Sequence, residues 1–173
     1  IEVQPLPQHL LERLKRDFSS VKRNSNPPLS AHKIDEDNDA VLQACRENGL
    51  LNRCDDKVKV VFLPAYLDGR DGLLNMTYYE AVSGCHLGIF PSYYEPWGYT
   101  PQESLAFGVP VVTTTLSGFG LWASQHSKAI DEGVEIVPRN DSNYGQVVEN
   151  ISKVVESVCA RSPEELEIIR KKA

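Results

Sequence analysis

Short apolar runs rich in β-branched residues recur through the second two-thirds of the chain, at residues 58–63, 87–90, 109–114 and 134–137. Between them, apolar positions recur at a spacing of three to four. That spacing predicts helices near 77–83, 100–107 and 121–129, with two more near 144–158 and 163–171 closing the chain. Continuous apolar strands alternating with helices predict an open parallel sheet covered on both faces, here about four strands of a doubly wound α/β fold.

The first third reads differently. Residues 1–18 start extended and turn helical, with Leu10, Leu11, Leu14 and Phe18 on one side. Residues 19–39 are polar, and Asn26-Pro27-Pro28 bars a regular helix there. They are expected to form a long connection outside the main sheet. A helix to about Glu47 follows, capped by Asp37 or Asn38, with Ala40, Val41, Ala44 and Cys45 inward and Asn48-Gly49 as its stop. The expected organisation is a helical and linker segment over 1–52 and an α/β domain over 53–173.

Composition narrows the function. At 173 residues, with 41% apolar and 24% charged, the chain has room for one globular domain with a core. Its net charge of −6 argues against a non-specific grip on nucleic acid or acidic membranes. Cys45, Cys54, Cys85 and Cys159 show no CxxC spacing, which argues against a disulfide scaffold or a zinc site and for reduced thiols in the cytoplasm. No apolar run approaches the ~18 residues of a membrane span. The chain opens at Ile1 without a signal-like segment and is expected to be a piece of a longer protein. Neither GxGxxG nor the Gly-x4-Gly-Lys-Ser/Thr loop is present, which weakens dehydrogenase and nucleoside-triphosphatase readings.

Candidate chemistry concentrates in residues 90–108, FPSYYEPWGYTPQESLAFG. An apolar strand delivers an aromatic loop onto a helix start, which is where open α/β sheets bind phosphorylated ligands. Trp97, Gly98, Tyr99 and Thr100 are expected to offer unpaired amides, and Gly98 would let a ligand approach the main chain. Glu95 and Glu103 flank them and suit sugar hydroxyls. Glu103 has a structural alternative: Thr100-x-x-Glu103 reads as a capping box with Pro101 at the first helical position. His86 is expected to be buried and satisfied. The Ser117-Gly118-Phe119-Gly120 stretch reads as a flexible turn lining the cleft, and Arg170-Lys171-Lys172 as a solvated helix end.

The wording GCHLGIFPSYYEPWGYTPQESLAFGVPVVTT, followed by Leu116-Ser117-Gly118-Phe119-Gly120, closely resembles glycogen synthase of the animal and fungal type. The resemblance extends upstream through VKVVFLPAYL and the 35–52 helix, and runs to about Ile136. It implies the C-terminal, Rossmann-like nucleotide-binding domain of a retaining glycosyltransferase with two facing domains. Glu95 would accept from the donor glucose and serve as the catalytic-site acid that orients it. Trp97 and Gly98 would lie against that sugar, Tyr99 and Thr100 would face the donor phosphates, and Glu103 would meet the ribose hydroxyls. Tyr66 and Tyr78 fall where the family places rings around uracil, although Tyr78 could equally be a core tyrosine.

The activity so implied is transfer of glucose from UDP-glucose to the non-reducing end of an α-1,4-glucan, with retention. The resemblance implies neither a metal nor a bound cofactor, and it allows a homo-oligomeric full-length enzyme. The family's arginine-rich activator helix has no counterpart cluster here. Its cationic pair from the first βα units is also absent, so this stretch is expected to be inactive alone. Two other readings stand beside this one: a UDP-sugar epimerase of the same architecture, and a non-catalytic module binding glucan or a partner through Tyr93, Tyr94 and Trp97.

Overall fold

The computed structural model of the chain describes residues 26–35, 37–72, 74–126 and 130–173. The amphipathic pattern at Leu10, Leu11, Leu14 and Phe18 lies outside them. Two compact units form, Ile1–Ala65 and Tyr66–Ala173.

In the first unit, helix α1 spans Ala40–Glu47. Its cap is Asp39, whose carboxylate accepts from the amides of Val41 and Leu42 at 3.0 Å each. It stops at Asn48, where Gly49 turns left-handed at φ 71°. Leu42 and Cys45 are its buried residues, whereas Ala40, Val41 and Ala44, expected inward, are exposed, Val41 to 48%. With the helix beginning at Ala40, the pair at 42 and 45 shares one face and Val41 falls beside it.

The apolar run at 58–63 does not enter a sheet ladder. Phe62 alone pairs, in parallel with Ser30, through the Phe62 amide to the Leu29 carbonyl and the Ala31 amide to the Phe62 carbonyl, both 2.8 Å. Next to it, the Asn52 side chain takes both main-chain groups of Val60. Its amide nitrogen donates to the Val60 carbonyl and its oxygen accepts from the Val60 amide, each at 2.8 Å. A side-chain amide thus occupies the groups a neighbouring strand would use, and Val58 and Val61 remain exposed.

The second unit holds the predicted parallel sheet, with three strands in the order β1 (Gly88–Ile89), β2 (Val111–Thr114), β3 (Val134–Val137). Gly88 pairs with Val111, and Val111 to Thr114 pair in turn with Val134 to Val137. Alternation sends neighbouring residues to opposite faces. On one face Val111 and Val134 pack with Phe119, Ala123, Leu105 and Phe90. On the other, Val112 and Val137 pack with Val147, Ile151, Val154 and Leu87.

The covering helices are α3 (Tyr99–Ala106) and α4 (Gly118–Ala123) on the first face and α5 (Tyr144–Cys159) on the second. Burial on both faces explains why all four residues of β2 are buried and why it reads as an unbroken apolar run. The fold is therefore α/β with a parallel, helix-covered sheet.

Two further helices belong to the unit. Helix α2 (Tyr78–Ser83) starts with a capping box between Thr77 and Glu80, and α6 (Pro163–Arg170) with one between Ser162 and Glu165. Arg170, expected in solvent, instead donates to the carbonyls of Cys85 and Ser83 at 2.6 and 3.0 Å, tying α6 to the end of α2. Its planar fork of donors matches two adjacent carbonyls, a contact no local charge pattern reveals. His86, expected to be buried, is exposed. It precedes β1 and lines an open hollow with Pro163, Leu166 and Arg170 of α6.

Candidate active site

The loop between β1 and α3 leaves the sheet at its carboxyl edge and is held there by three neighbours. Arg139, just past β3, donates to the Pro91 carbonyl at 2.8 Å and lies over the Tyr93 ring at 4.7 Å. The Thr114 hydroxyl, at the end of β2, donates to the Ser92 carbonyl at 2.6 Å. Glu95 then pairs in parallel with Ser117: its amide donates to the Leu116 carbonyl at 3.1 Å and its carbonyl accepts from the Gly118 amide at 3.2 Å. An isolated parallel bridge thus holds the Glu95 backbone against the turn that follows β2.

The Ser117-Gly118-Phe119-Gly120 stretch is accordingly no flexible turn. Ser117 caps α4 through its hydroxyl, which accepts from the Gly120 amide at 2.9 Å, and Ser117 and Phe119 are buried. The helix begins three residues before the predicted 121 because this cap, invisible to apolar periodicity, supplies the missing acceptor. A side chain at Gly118 would bring its Cβ to 2.3 Å from the Pro96 carbonyl oxygen. Only glycine lets the two loops touch.

The carboxylate of Glu95 is half-buried, and its Oε2 accepts from the Ser92 hydroxyl at 2.9 Å. Gly98 follows at φ 110° and is buried, with the position of a Cβ lying 3.3 Å from Glu95 Oε2. That left-handed backbone starts α3 at Tyr99, one residue earlier than expected. The Thr100–Glu103 capping box consequently does not form. Thr100 is the second helical residue and Pro101 the third, Gly98 is the cap, and no side chain caps the helix. The main-chain carbonyl of Thr100 accepts from the Ser104 hydroxyl at 2.9 Å.

The amides of Trp97, Gly98, Tyr99 and Thr100 donate to no acceptor among the described residues. Tyr99 is 69% exposed and Thr100 is also exposed, so the helix start opens to solvent and is not plugged by protein. Four bare donors and the positive end of an eight-residue helix are chemically suited to an anion. The Trp97 indole donates to Gln102 Oε1 at 2.7 Å and contacts Phe119 edge-on at 6.2 Å. Its ring lines a hollow of about 510 Å³ with Leu105, Phe119 and Trp122.

Glu103, freed from capping, accepts at Oε1 from the Tyr79 hydroxyl at 3.3 Å. Tyr78 meets Tyr79 edge to face at 5.3 Å. Burial, and next the Glu103 carboxylate, raises the Tyr78 phenol above its ordinary value, so the ring is neutral at physiological pH. Tyr78 and Glu103 therefore share one neighbourhood. Tyr66 does not join it by any described contact: its ring is 97% exposed.

Sequence reasoning missed Ser92, Tyr79 and Arg139. Ser92 and Tyr79 sit beside residues that were singled out, but nothing in spacing distinguishes a hydroxyl that holds a carboxylate from one in solvent. Arg139 lies 48 residues from the loop it braces. Among the described residues no group of three or more His, Cys, Asp and Glu side chains could hold a metal, and no helix is long and apolar enough to cross a membrane.

These features can be set beside known proteins. The family model for glycogen synthase matches residues 6–173. The glycogen [starch] synthase of Caenorhabditis elegans is 37% identical over 172 residues, covering 96% of this chain and 26% of its own. The liver glycogen [starch] synthase of Homo sapiens is 42% identical over 151 residues, covering 86% and 22%. Isoform 2 of Saccharomyces cerevisiae is 40% identical over 152 residues, covering 82% and 22%. The chain spans about a quarter of the length of these relatives. A match across nearly the whole chain, on a parallel sheet with an open helix start between two glutamates, places it in the glycogen synthase family.

Proposed function

We propose that this stretch supplies the donor-nucleotide side of a retaining glycosyltransferase, which moves glucose from UDP-glucose to the non-reducing end of an α-1,4-glucan. The observation that carries the reading is the set of four unpaired amides at Trp97 to Thr100, between Glu95 and Glu103. The diphosphate of UDP rests on those amides. Negative charge grows on the departing phosphate as the glycosidic bond breaks, and fixed donors stabilise it without reorganising. The relatives carry the name glycogen synthase, which supports the same chemistry.

Glu95, steadied by Ser92 and by its pairing with Ser117, accepts from the glucose hydroxyls and orients the ring while the acceptor hydroxyl approaches the leaving group's face. It is not assigned as a nucleophile. Glu103 accepts from the ribose, and Tyr78 offers a neutral ring to uracil, with Tyr66 the outermost candidate. No metal is assigned to UDP departure. The expected division at 1–52 and 53–173, the cytoplasmic location and a homo-oligomeric full-length enzyme belong to the same proposal.

This stretch contributes one wall of a cleft, so it is proposed to be inactive alone and to bind UDP weakly. The test is glucose transfer from UDP-glucose to glycogen by the full-length enzyme containing this chain, with Glu95→Gln. The reading expects kcat/KM to fall at least about 100-fold. A variant as active as the wild type would overturn it.

A further inference from the structure

Helix α2 is pinned at its start. The Thr77–Glu80 capping box closes it, Thr77 bridges Asp68, and the Tyr78 amide donates to the Leu67 carbonyl at 2.9 Å. From this short, fixed helix Tyr79 reaches across to α3 and makes two contacts one turn apart, with Glu103 in the helix and with Phe107 at its C-terminal cap. Its ring stacks on Phe107 with centroids 5.1 Å apart and planes 22° from parallel, and its hydroxyl donates to Glu103 Oε1 at 3.3 Å. The other oxygen of Glu103 accepts from no described residue.

A carboxylate on a long side chain has several rotamers, and holding it in one costs entropy at the moment of binding. A hydroxyl fixed by ring stacking removes that cost beforehand. We propose that Tyr79 is a positioning residue for nucleotide recognition: it holds one oxygen of Glu103 so that the other is presented to a ribose hydroxyl. This rests on the reading of Glu103 as a ribose acceptor. The hydrogen bond, long for a hydroxyl on a carboxylate, is of the kind that tightens when the site is loaded. Tyr79 touches no substrate in this scheme and acts through Glu103 alone.

The test uses the full-length enzyme, with UDP and 2′-deoxy-UDP and their 3′-deoxy counterpart as competitive inhibitors of transfer. Tyr79→Phe keeps the ring on Phe107 and deletes only the hydroxyl. Expected are a rise in KM for UDP-glucose of up to about tenfold with kcat changed less than about twofold, as for loss of one charge-assisted contact. The preference for UDP over at least one deoxy analogue should narrow by a similar factor, with the melting temperature unchanged.

Glu103→Gln serves as the second variant. If it flattens the discrimination while Tyr79→Phe leaves both KM and discrimination at wild-type values, Glu103 reads the ribose unaided and the positioning role is overturned. A wild-type enzyme blind to both hydroxyls would instead remove the ribose assignment, and this inference with it. A lower melting temperature in Tyr79→Phe with unchanged discrimination would assign Tyr79 to packing and overturn the proposal.

Discussion

Glu95 and Ser117 form an isolated parallel bridge beyond the last rung of the β1–β2 ladder. That rung joins Ile89 to Val112, so the loop side takes six steps to the next pairing and the partner takes five. The loop side is thus one residue longer than its partner between the two pairings. A carboxylate placed by two main-chain hydrogen bonds is held more firmly than one on a free loop, which is what an orienting residue requires.

Gly118 guards that placement. With its Cβ position 2.3 Å from the Pro96 carbonyl, Gly118→Ala forces the two loops apart. A loss of roughly 1–3 kcal/mol of stability is expected, together with weaker UDP binding, because Glu95 moves with its partner strand. Thermal unfolding and a UDP titration of the same variant check both halves. Unchanged affinity in a destabilised variant would detach the packing from the site.

Gly98→Ala tests the adjacent turn. At φ 110° an L-residue is strained, and the new methyl would lie 3.3 Å from Glu95 Oε2. Expected is a destabilisation of roughly 1–2 kcal/mol with UDP affinity reduced further than in Gly118→Ala, since the change falls on the amides themselves. The comparison of the two dissociation constants is the measurement.

Arg139 makes two different contacts with the loop, a hydrogen bond to Pro91 and a face-on contact with Tyr93. Lysine keeps the charge but lacks the planar fork. Arg139→Lys is expected to cost about 1 kcal/mol in stability and to speed amide hydrogen exchange in residues 91–95. Exchange identical to the wild type would show that Thr114 and Ser117 suffice to hold the loop.

Glu135 gives a pH dependence. Burial pushes its carboxyl above the ordinary range, opposed by the Ile130 amide it accepts from and reinforced by Asp131. A raised folded value means the protonated form is favoured in the fold. The stability it contributes is present below the ordinary carboxylate range and is lost as pH rises through the folded value. Glu135→Gln, which can still accept from Ile130, should therefore match the wild type near pH 4 and melt higher than it at pH 7. A lower melting temperature at pH 7 would contradict the sign.

Much of this was readable from the chain. β3 forms at 134–137 as expected, because Val134, Ile136 and Val137 stand in a four-residue run bracketed by Gly133 and Pro138. The long helix at 144–159 follows its periodicity to within a residue. The position of Glu95 at a strand's carboxyl end followed from element order alone. Harder to read were contacts made across sequence distance: Tyr79 to Glu103, Arg139 to Pro91, Asn52 to Val60. The Thr100-x-x-Glu103 pattern misled because a backbone torsion at Gly98, not a side chain, decides where α3 starts. The apolar run at 58–63 misled because a strand needs a partner, and composition does not say that Asn52 has taken its place.

Hydrogen exchange followed by mass spectrometry, on the full-length enzyme with and without saturating UDP, addresses the bare amides directly. Peptides spanning Trp97 to Thr100 should gain strong protection with UDP, while those covering α5 at 144–159 stay unchanged. Nucleotide that binds and inhibits yet leaves exchange at Trp97 to Thr100 untouched would place the diphosphate elsewhere and contradict the account.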